Sequence, residues 1–379
     1  MNAIGKIFGK MTYKQLIIYT LIGLFIAGSV LFVNHNSSFY KRTVAQVVDT
    51  KVEDSNQVKD VHDNKDQVFK QSITAEIKNG KEKGKEVHLT NKYSSSGAYD
   101  QEYRVGNELF ISIDNKSKEK GQLTGSITDV KRDKYVLLVG WIFILTLLIV
   151  GKKRGFFSMI SLAVNVSLIS IALDVYVNHS DTSLLWICSI LVVLFTIISL
   201  LLLNGFNEMT YAAIAATLLG ILLSLSITYG TIKLTDGSGL RYEEMQFLTR
   251  PYEVVFMAGL FIGSLGAVMD VAITIASSIF GLYEKNRNVS IKALRKSGMD
   301  IGKDVMGTLT NILFFVYVSG SIPSMILYLK NASALGFTLS MNLSLEFARA
   351  LAGGIGIVLT IPIAVYTSVL FVNRKRNRL

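Results

Sequence analysis

The sequence predicts an α-helical polytopic membrane protein of about eight transmembrane helices, with a small extracytoplasmic all-β domain inserted after the first helix. Three observations predict it. Apolar residues form half of the 379-residue chain, and mean hydropathy is +0.41. They fall in blocks of about 17 to 25 residues, the length at which an α-helix crosses roughly 30 Å of hydrocarbon. Only three prolines occur, Pro251, Pro323 and Pro362, whereas glycine recurs inside the blocks, as close packing of helices in lipid requires.

Taken in order, residues 1–14 form a basic N-terminus carrying Lys6, Lys10 and Lys14, and residues 15–33 form the first span. The apolar run continues through Val30-Leu31-Phe32-Val33, past the small Ala27-Gly28-Ser29, so an uncleaved anchor is expected rather than a signal peptide. Residues 34–134 form the polar domain, 135–372 a seven-helix membrane domain, and 373–379 a basic tail. Within the membrane domain, spans are expected near 135–151, 156–177, 184–203, 209–232, 252–280, 307–329 and 346–372.

The formal charge of +11 raises the question of nucleic acid. Between Lys41 and Lys134, 18 Lys/Arg face 16 Asp/Glu, so most of the excess flanks the apolar segments and leaves no basic groove for a phosphate backbone. With the N-terminus inside, sixteen basic residues lie in cytoplasmic segments: Lys6/Lys10/Lys14, Lys152-Lys153-Arg154, six from Lys285 to Lys303, and Arg374-Lys375-Arg376 with Arg378. Opposite short loops hold four: Lys233, Arg241, Arg250 and Lys330. That bias places both termini in the cytoplasm and residues 34–134 outside. The single cysteine, Cys188, sits in an apolar block, which leaves neither a disulfide framework nor a cysteine metal site.

In the polar domain, Val44, Val47 and Val48 open a series of short alternating runs, among them 73–77, 86–90, 108–113 and 126–130, punctuated by turns such as Asn79-Gly80. Alternation with period two reads as antiparallel strands in a small barrel or sandwich. His62 and His88 have no metal-site spacing, and solvated histidines are expected there.

The membrane domain carries its information in polar residues. Gly263, Gly266, Asp270, Thr274, Ser277 and Gly281 recur every three or four positions and make one small, polar helix stripe. A carboxylate at membrane depth costs about 2.5–3.5 kcal/mol to insert, so Asp270 is expected to face protein or water. Asp300, Asp304, Gly307, Thr308 and Asn311 make a second stripe, opposite an amphipathic face of Ile291, Leu294, Gly298, Ile301 and Val305. Gly320 and Pro323 are candidate helix breaks. Glu346 and Arg349 open the last span, with Gly353 on the same face and Pro362 a candidate kink. Each has a plainer reading: Asp300 and Asp304 a solvated helix face, Glu346 and Arg349 an interfacial ion pair. The candidate substrate or ion ligands are therefore Asp270, Thr274, Ser277, Asp300, Asp304, Asn311 and Glu346.

The segment Gly263-Ser264-Leu265-Gly266-Ala267-Val268-Met269-Asp270-Val271-Ala272-Ile273-Thr274-Ile275-Ala276-Ser277-Ser278 resembles the signature of the YibE/F-like integral membrane proteins. Asn204-Gly205-Phe206, Lys153-Arg154-Gly155, Gly298 through Asp304, Gly307 through Asn311 and Ile361-Pro362 support it, so the resemblance covers residues 135–372. The outer domain resembles that of the longer, YibE-like members. The resemblance marks Asp270, Asp300, Asp304 and Asn311 as motif positions. It also implies transport, and a paralogous membrane partner lacking the outer domain.

Two functions from different classes compete. One is a secondary transporter of a small solute or ion, coupled to a proton or cation through Asp270. The other is a scaffold or sensor whose outer β-domain binds a ligand or partner. Gly5-Lys6-Ile7-Phe8-Gly9-Lys10 has the wrong spacing for a phosphate-binding loop, and no Gly-x-Gly-Asp or serine-histidine arrangement supports an intramembrane enzyme. No cofactor, metal or catalytic residue is expected.

Overall fold

The computed structural model describes residues 13–61, 63–97, 100–114, 123–179, 182–245 and 251–378. Lys6, Lys10, His62 and Arg250 lie outside the described residues. The chain forms two compact units, Met1–Thr146 and Leu147–Leu379.

In the first unit, helix α1 (Tyr13–His35) leads through a short 3-10 turn (Asn36–Phe39) into five strands. These are β1 (Thr43–Lys59), β2 (Lys65–Ile77), β3 (Glu86–Ser94), β4 (Glu108–Ile113) and β5 (Leu123–Val130). They close as β1-β2-β3-β5-β4, a Greek-key barrel, with β4 returning to pair with β1. The expected antiparallel strands are all present, but one pair, β3 with β5, is parallel. That pair follows from closure: β4 and β5 form the antiparallel hairpin, and β5 completes the ring against β3.

Alternation builds the core. Ala45, Val47, Ile73, Ala75, Ile77, Val87 and Leu89 point inward and are buried, along with Leu109 and Ile111. Val48 is not among them. The register of β1 against β2 slips between Val47 and Asp49, so Val48 is the extra residue of a bulge and stands 48% exposed. Gly125 lies where β5 touches both β3 and β4, and a Cβ there would stand 2.5 Å from the Ser112 carbonyl oxygen.

Two buried amides tie the loops to this core. Asn79 donates to the carbonyls of Ser37, Tyr40 and Arg42 and accepts from the Val44 N–H. Gln71, 1% exposed, donates to the Tyr103 carbonyl at 2.6 Å and accepts from the Tyr103 N–H. At the base of the barrel, the Lys131 ammonium is buried between Glu108 and Asp133 and also donates to the Val33 carbonyl. Burial alone would depress its pKa, but the Glu108 and Asp133 carboxylates hold it above the usual lysine range. Asn36 and Tyr40 donate to Asp133, so the end of α1 and the start of the next helix are pinned to one another.

Helix α2 (Asp133–Asn178) contains both the second and third expected spans without a loop between them. It is divided at Lys152, whose backbone (φ 47°, ψ −123°) leaves the helical region. Gly155 then lies directly against the Leu147 carbonyl, which an unbroken helix would keep two turns away. The missing side chain permits that approach. There follow α3 (Leu184–Asn204), α4 (Glu208–Leu234), a 3-10 turn (Tyr242–Glu244), α5 (Tyr252–Gly263), α6 (Leu265–Lys285), α7 (Ile291–Lys330) and α8 (Leu335–Arg376). Among the described residues, seven helices are long and apolar enough to cross a membrane, counting α2 once and α5 with α6 as one.

The core of the second unit is α4, α6 and α8, joined through small residues. Gly220 meets Thr360, and a Cβ on Gly356 would stand 3.0 Å from Val268. The Ser224 hydroxyl donates to the Ala352 carbonyl at 2.7 Å. On the other side, Gly298 packs on Ile279 and Val365, and Gly302 on Ile361. The amphipathic face 291–305 thus packs on protein and is continuous with α7 rather than a separate interfacial helix. Two candidate breaks are corrected here: α7 runs unbroken through Gly320 and Pro323. Pro323 removes one N–H, a single lost bond in a helix of 40 residues. Helix α8 likewise continues through Pro362 and starts eleven residues before Glu346, earlier than its apolar pattern suggests.

Candidate functional site

The expected 252–280 span is two helices. Three features set the joint between them. Gly263 has no Cβ, and the Tyr317 hydroxyl of α7 occupies that space. The Ser264 hydroxyl donates to the Leu260 carbonyl at 2.9 Å, a back-bond that bends helices. Ser264 keeps helical dihedrals (φ −83°, ψ −16°), so this is a bend at one residue and not an unwound stretch. Gly353 of α8 backs it from the other side, where its Cβ would meet Leu313 at 2.7 Å and Ser264 at 3.6 Å.

Below the joint, α6 has two faces. Leu265, Val268, Val271, Ala272, Ile275 and Ala276 are buried in the core. Gly263, Gly266, Asp270, Thr274 and Ser277 are exposed on the opposite face, with Gly281 half-buried. Helix α7 repeats the division: Leu294, Gly298, Gly302 and Leu313 are buried, whereas Asp300, Asp304, Gly307, Thr308 and Asn311 are exposed. The two helices run antiparallel, since Gly263 meets Tyr317 and Gly298 meets Ile279. Interpolating between those contacts puts Asp270 level with Thr308 to Asn311. Asp270, Thr274, Ser277, Asp300, Asp304 and Asn311 therefore belong to two adjacent polar faces, both turned away from the core. Among the described residues, no hydrogen bond or ion pair reaches Asp270.

Glu346 is not part of those faces. It pairs with Arg349 on α8, and the two side chains are 15% and 21% exposed. The Arg349 guanidinium lies 5.3 Å from the centroid of the Phe256 ring on α5. Over this pair folds the turn before α5. Tyr242 packs on Tyr252 and Phe256 with ring centroids 4.7 and 5.8 Å apart. The Arg241 N–H donates to the Ser344 hydroxyl at 3.0 Å, and its Nε donates to Ser340 at 3.3 Å. Glu244, on the same turn, has one carboxyl oxygen buried without a hydrogen-bond partner among the described residues. Burial, reinforced by the Glu346 carboxylate and opposed by Arg349, pushes the Glu244 carboxyl up to about 7. Sequence reasoning missed Glu244, because the 233–251 loop was read only for its basic residues. It also missed Tyr317, which is hidden in an apolar run. Tyr242 and Tyr252 on either side of Pro251 were the available signal for a packed turn.

Residues 139–374 match the family described as YibE/F-like protein, and residues 38–130 match the YibE/F family N-terminal domain. The boundary between the two matches coincides with the step from β5 into α2. No curated protein and no solved structure matches the chain.

Proposed function

The chain belongs to the YibE/F-like family, and from that premise we propose that it is a membrane protein, a secondary transporter of a small solute or ion in the cell membrane with Asp270 binding the coupling proton or cation. The seven long apolar helices among the described residues support that placement. The observation that carries this reading is the alignment of Asp270 with the polar face of the neighbouring α7, at one level on two helices of crossing length. At 1.5 Å per residue, Asp270 is about 22 Å along α6 from Lys285, well inside a hydrocarbon layer roughly 30 Å thick. An ionisable side chain at that depth faces a water-filled path or another protein. A paralogous membrane protein without the outer domain is the proposed partner, and the open faces of α6 and α7 are where it would complete the path.

The orientation has both termini in the cytoplasm, eight crossings, and residues 34–134 outside. Support comes from the clustering of basic residues at one end of the second unit. There Arg376 donates to the carbonyls of Arg287 and Val289, Arg378 approaches Glu208 at 3.3 Å, and Lys375 approaches Glu284 at 3.8 Å.

The test is flux in proteoliposomes under an imposed pH gradient, read by an internal pH-sensitive dye. Asp270→Asn abolishes the flux of the native chain if Asp270 carries the coupling ion; unchanged flux rejects the role. A second reading, a sensor or scaffold acting through the barrel, is favoured by a cleft of about 370 Å³ in the first unit, lined by Asp100, Tyr103, Asp129 and Arg132 among others. Deleting residues 45–130 would then abolish the activity and Asp270→Asn would spare it.

A further inference from the structure

The 240–245 turn closes one end of the second unit, the end away from Arg374–Arg376, and its grip on α8 and α5 passes through a cluster with unequal charges. Two carboxyls, Glu244 and Glu346, lie within electrostatic reach of Arg349, which pairs with Glu346, and Arg349 is the one partly buried cation there among the described residues. Arg349 is committed to Glu346 and to the face of Phe256. One oxygen of Glu244 is left enclosed with nothing donating to it. Leu240, Tyr242 and Met245 pack against the same apolar cluster as Phe256, Leu345 and Ala348, so the carboxyl is held in place by its neighbours and cannot swing out alone. Among the described residues, the other charged groups around it are one cation and two carboxylates, all exposed. On its own turn are Arg241 and Glu243, both exposed, and Tyr242; on α5 are Tyr252 and Glu253, exposed as well. On α7, Tyr317 is within electrostatic range of both Glu346 and Arg349.

We propose that Glu244 and Glu346 form a proton-binding site in which one proton, taken from the solution on that side, neutralises the pair against Arg349 and latches the 240–245 turn onto α8 and α5. The raised Glu244 carboxyl agrees with this geometry, and the sign follows from linkage. A carboxyl with a docked value of about 7 against an ordinary 4.5 holds its proton better when docked. Docking is therefore strongest below 4.5 and weakens as pH rises through about 7. Once ionised, Glu244 repels Glu346 and competes for Arg349, and the turn lifts. The site is independent of the transport reading and needs no flux to be observed.

The experiment uses the full chain in lipid nanodiscs, with Cys188→Ala and a polarity-sensitive fluorophore on Ser238→Cys, an exposed position beside the turn. Its emission is expected to titrate with a midpoint near 7. Glu244→Gln should flatten the curve at its acidic level, and Glu346→Gln should move the midpoint below that of the native chain. Infrared difference spectra of the chain with Glu244 intact, between about pH 6 and about pH 8, should show loss of one protonated-carboxyl band. A flat native titration, a titration that survives Glu244→Gln, no carboxyl band, or a midpoint that follows sodium concentration at fixed pH would each overturn the proposal.

Discussion

The barrel and the helical unit solve the same packing problem with opposite materials. In the barrel, large side chains such as Ile73, Ile77, Leu89 and Leu109 fill the interior, and charged residues cover the outside. In the helical unit, Ile275, Ile279, Ile357 and Ile361 are buried as well, but the closest approaches of α4, α6 and α8 fall at Gly220, Ser224, Gly356 and Thr360, while Leu222, Phe315, Val358 and Leu370 stand exposed. A polar residue therefore means different things in the two. On the barrel surface Lys70 and Glu53 pair in water at 2.7 Å and contribute little. On the exposed face of α6, Asp270 lies in a stripe with Gly266, Thr274 and Ser277 and has no hydrogen-bond or ion-pair partner among the described residues.

That contrast can be broken most severely at Lys131, the barrel's one nearly fully enclosed cation among the described residues, its side chain 1% exposed. Lys131→Met leaves Glu108 and Asp133 facing each other without a counter-charge, and should cost about 3–5 kcal/mol. Thermal unfolding of the full chain in detergent, followed in the strand region of the circular dichroism spectrum, checks this; loss under 1 kcal/mol would show the carboxylates to be solvated. In the helical unit the comparable damage comes from adding apolar bulk. Gly302→Val drives a side chain into Ile361 and should destabilise the helical transition by about 1–3 kcal/mol. An unchanged midpoint would show that Ile361 yields freely and would refute the close packing at Gly302. Gln71→Leu should cost about 2 kcal/mol, since the Tyr103 N–H and carbonyl lose their partner inside the barrel. Smallest is Gly266→Ala, with open space around its Cβ: within about 1 kcal/mol of native, on the stabilising side. If that variant keeps its melting point yet loses flux, the exposed face of α6 is occupied in the working assembly.

The alternating strands and apolar blocks were legible because each has a period that sequence displays directly: Ile73, Ala75 and Ile77 point one way as written, and 184–203 is α3 to within a residue. The polar faces of α6 and α7 were legible for the same reason, since spacing of three and four fixes a helical face. What lay beyond reach depended on contacts between distant segments. Nothing local to Val48 announces a bulge, which exists only against the register of β2. Pro323 reads as a break, yet α7 continues through it, and nothing local to the residue announces that. Glu244 drew no attention because its burial is imposed by α8, about a hundred residues later in the chain. The outward direction of Asp270 was likewise invisible, because spacing gives the face and not what the face meets.

The joint at Ser264 has a mechanical consequence. Helices α4, α6 and α8 come close at Gly220 and Gly356, where Thr360, Val268 and Ser224 fill the space a Cβ would take, and so form a stiff slab that resists sliding. Helix α5 continues from that slab through one bent residue, and Phe256 and Leu260 hold its buried side against Ile221 and Leu225 of α4 and Leu345 and Ala352 of α8. It is twelve residues long, a lever of about 18 Å, and a change of about 20° at Ser264 sweeps its far end through about 6 Å. That end carries Tyr252 and Phe256, the surfaces on which Tyr242 and Arg349 rest. A bend at Ser264 would therefore carry the surfaces that seat the 240–245 turn, with the Tyr317 hydroxyl filling the space at Gly263 beside the joint.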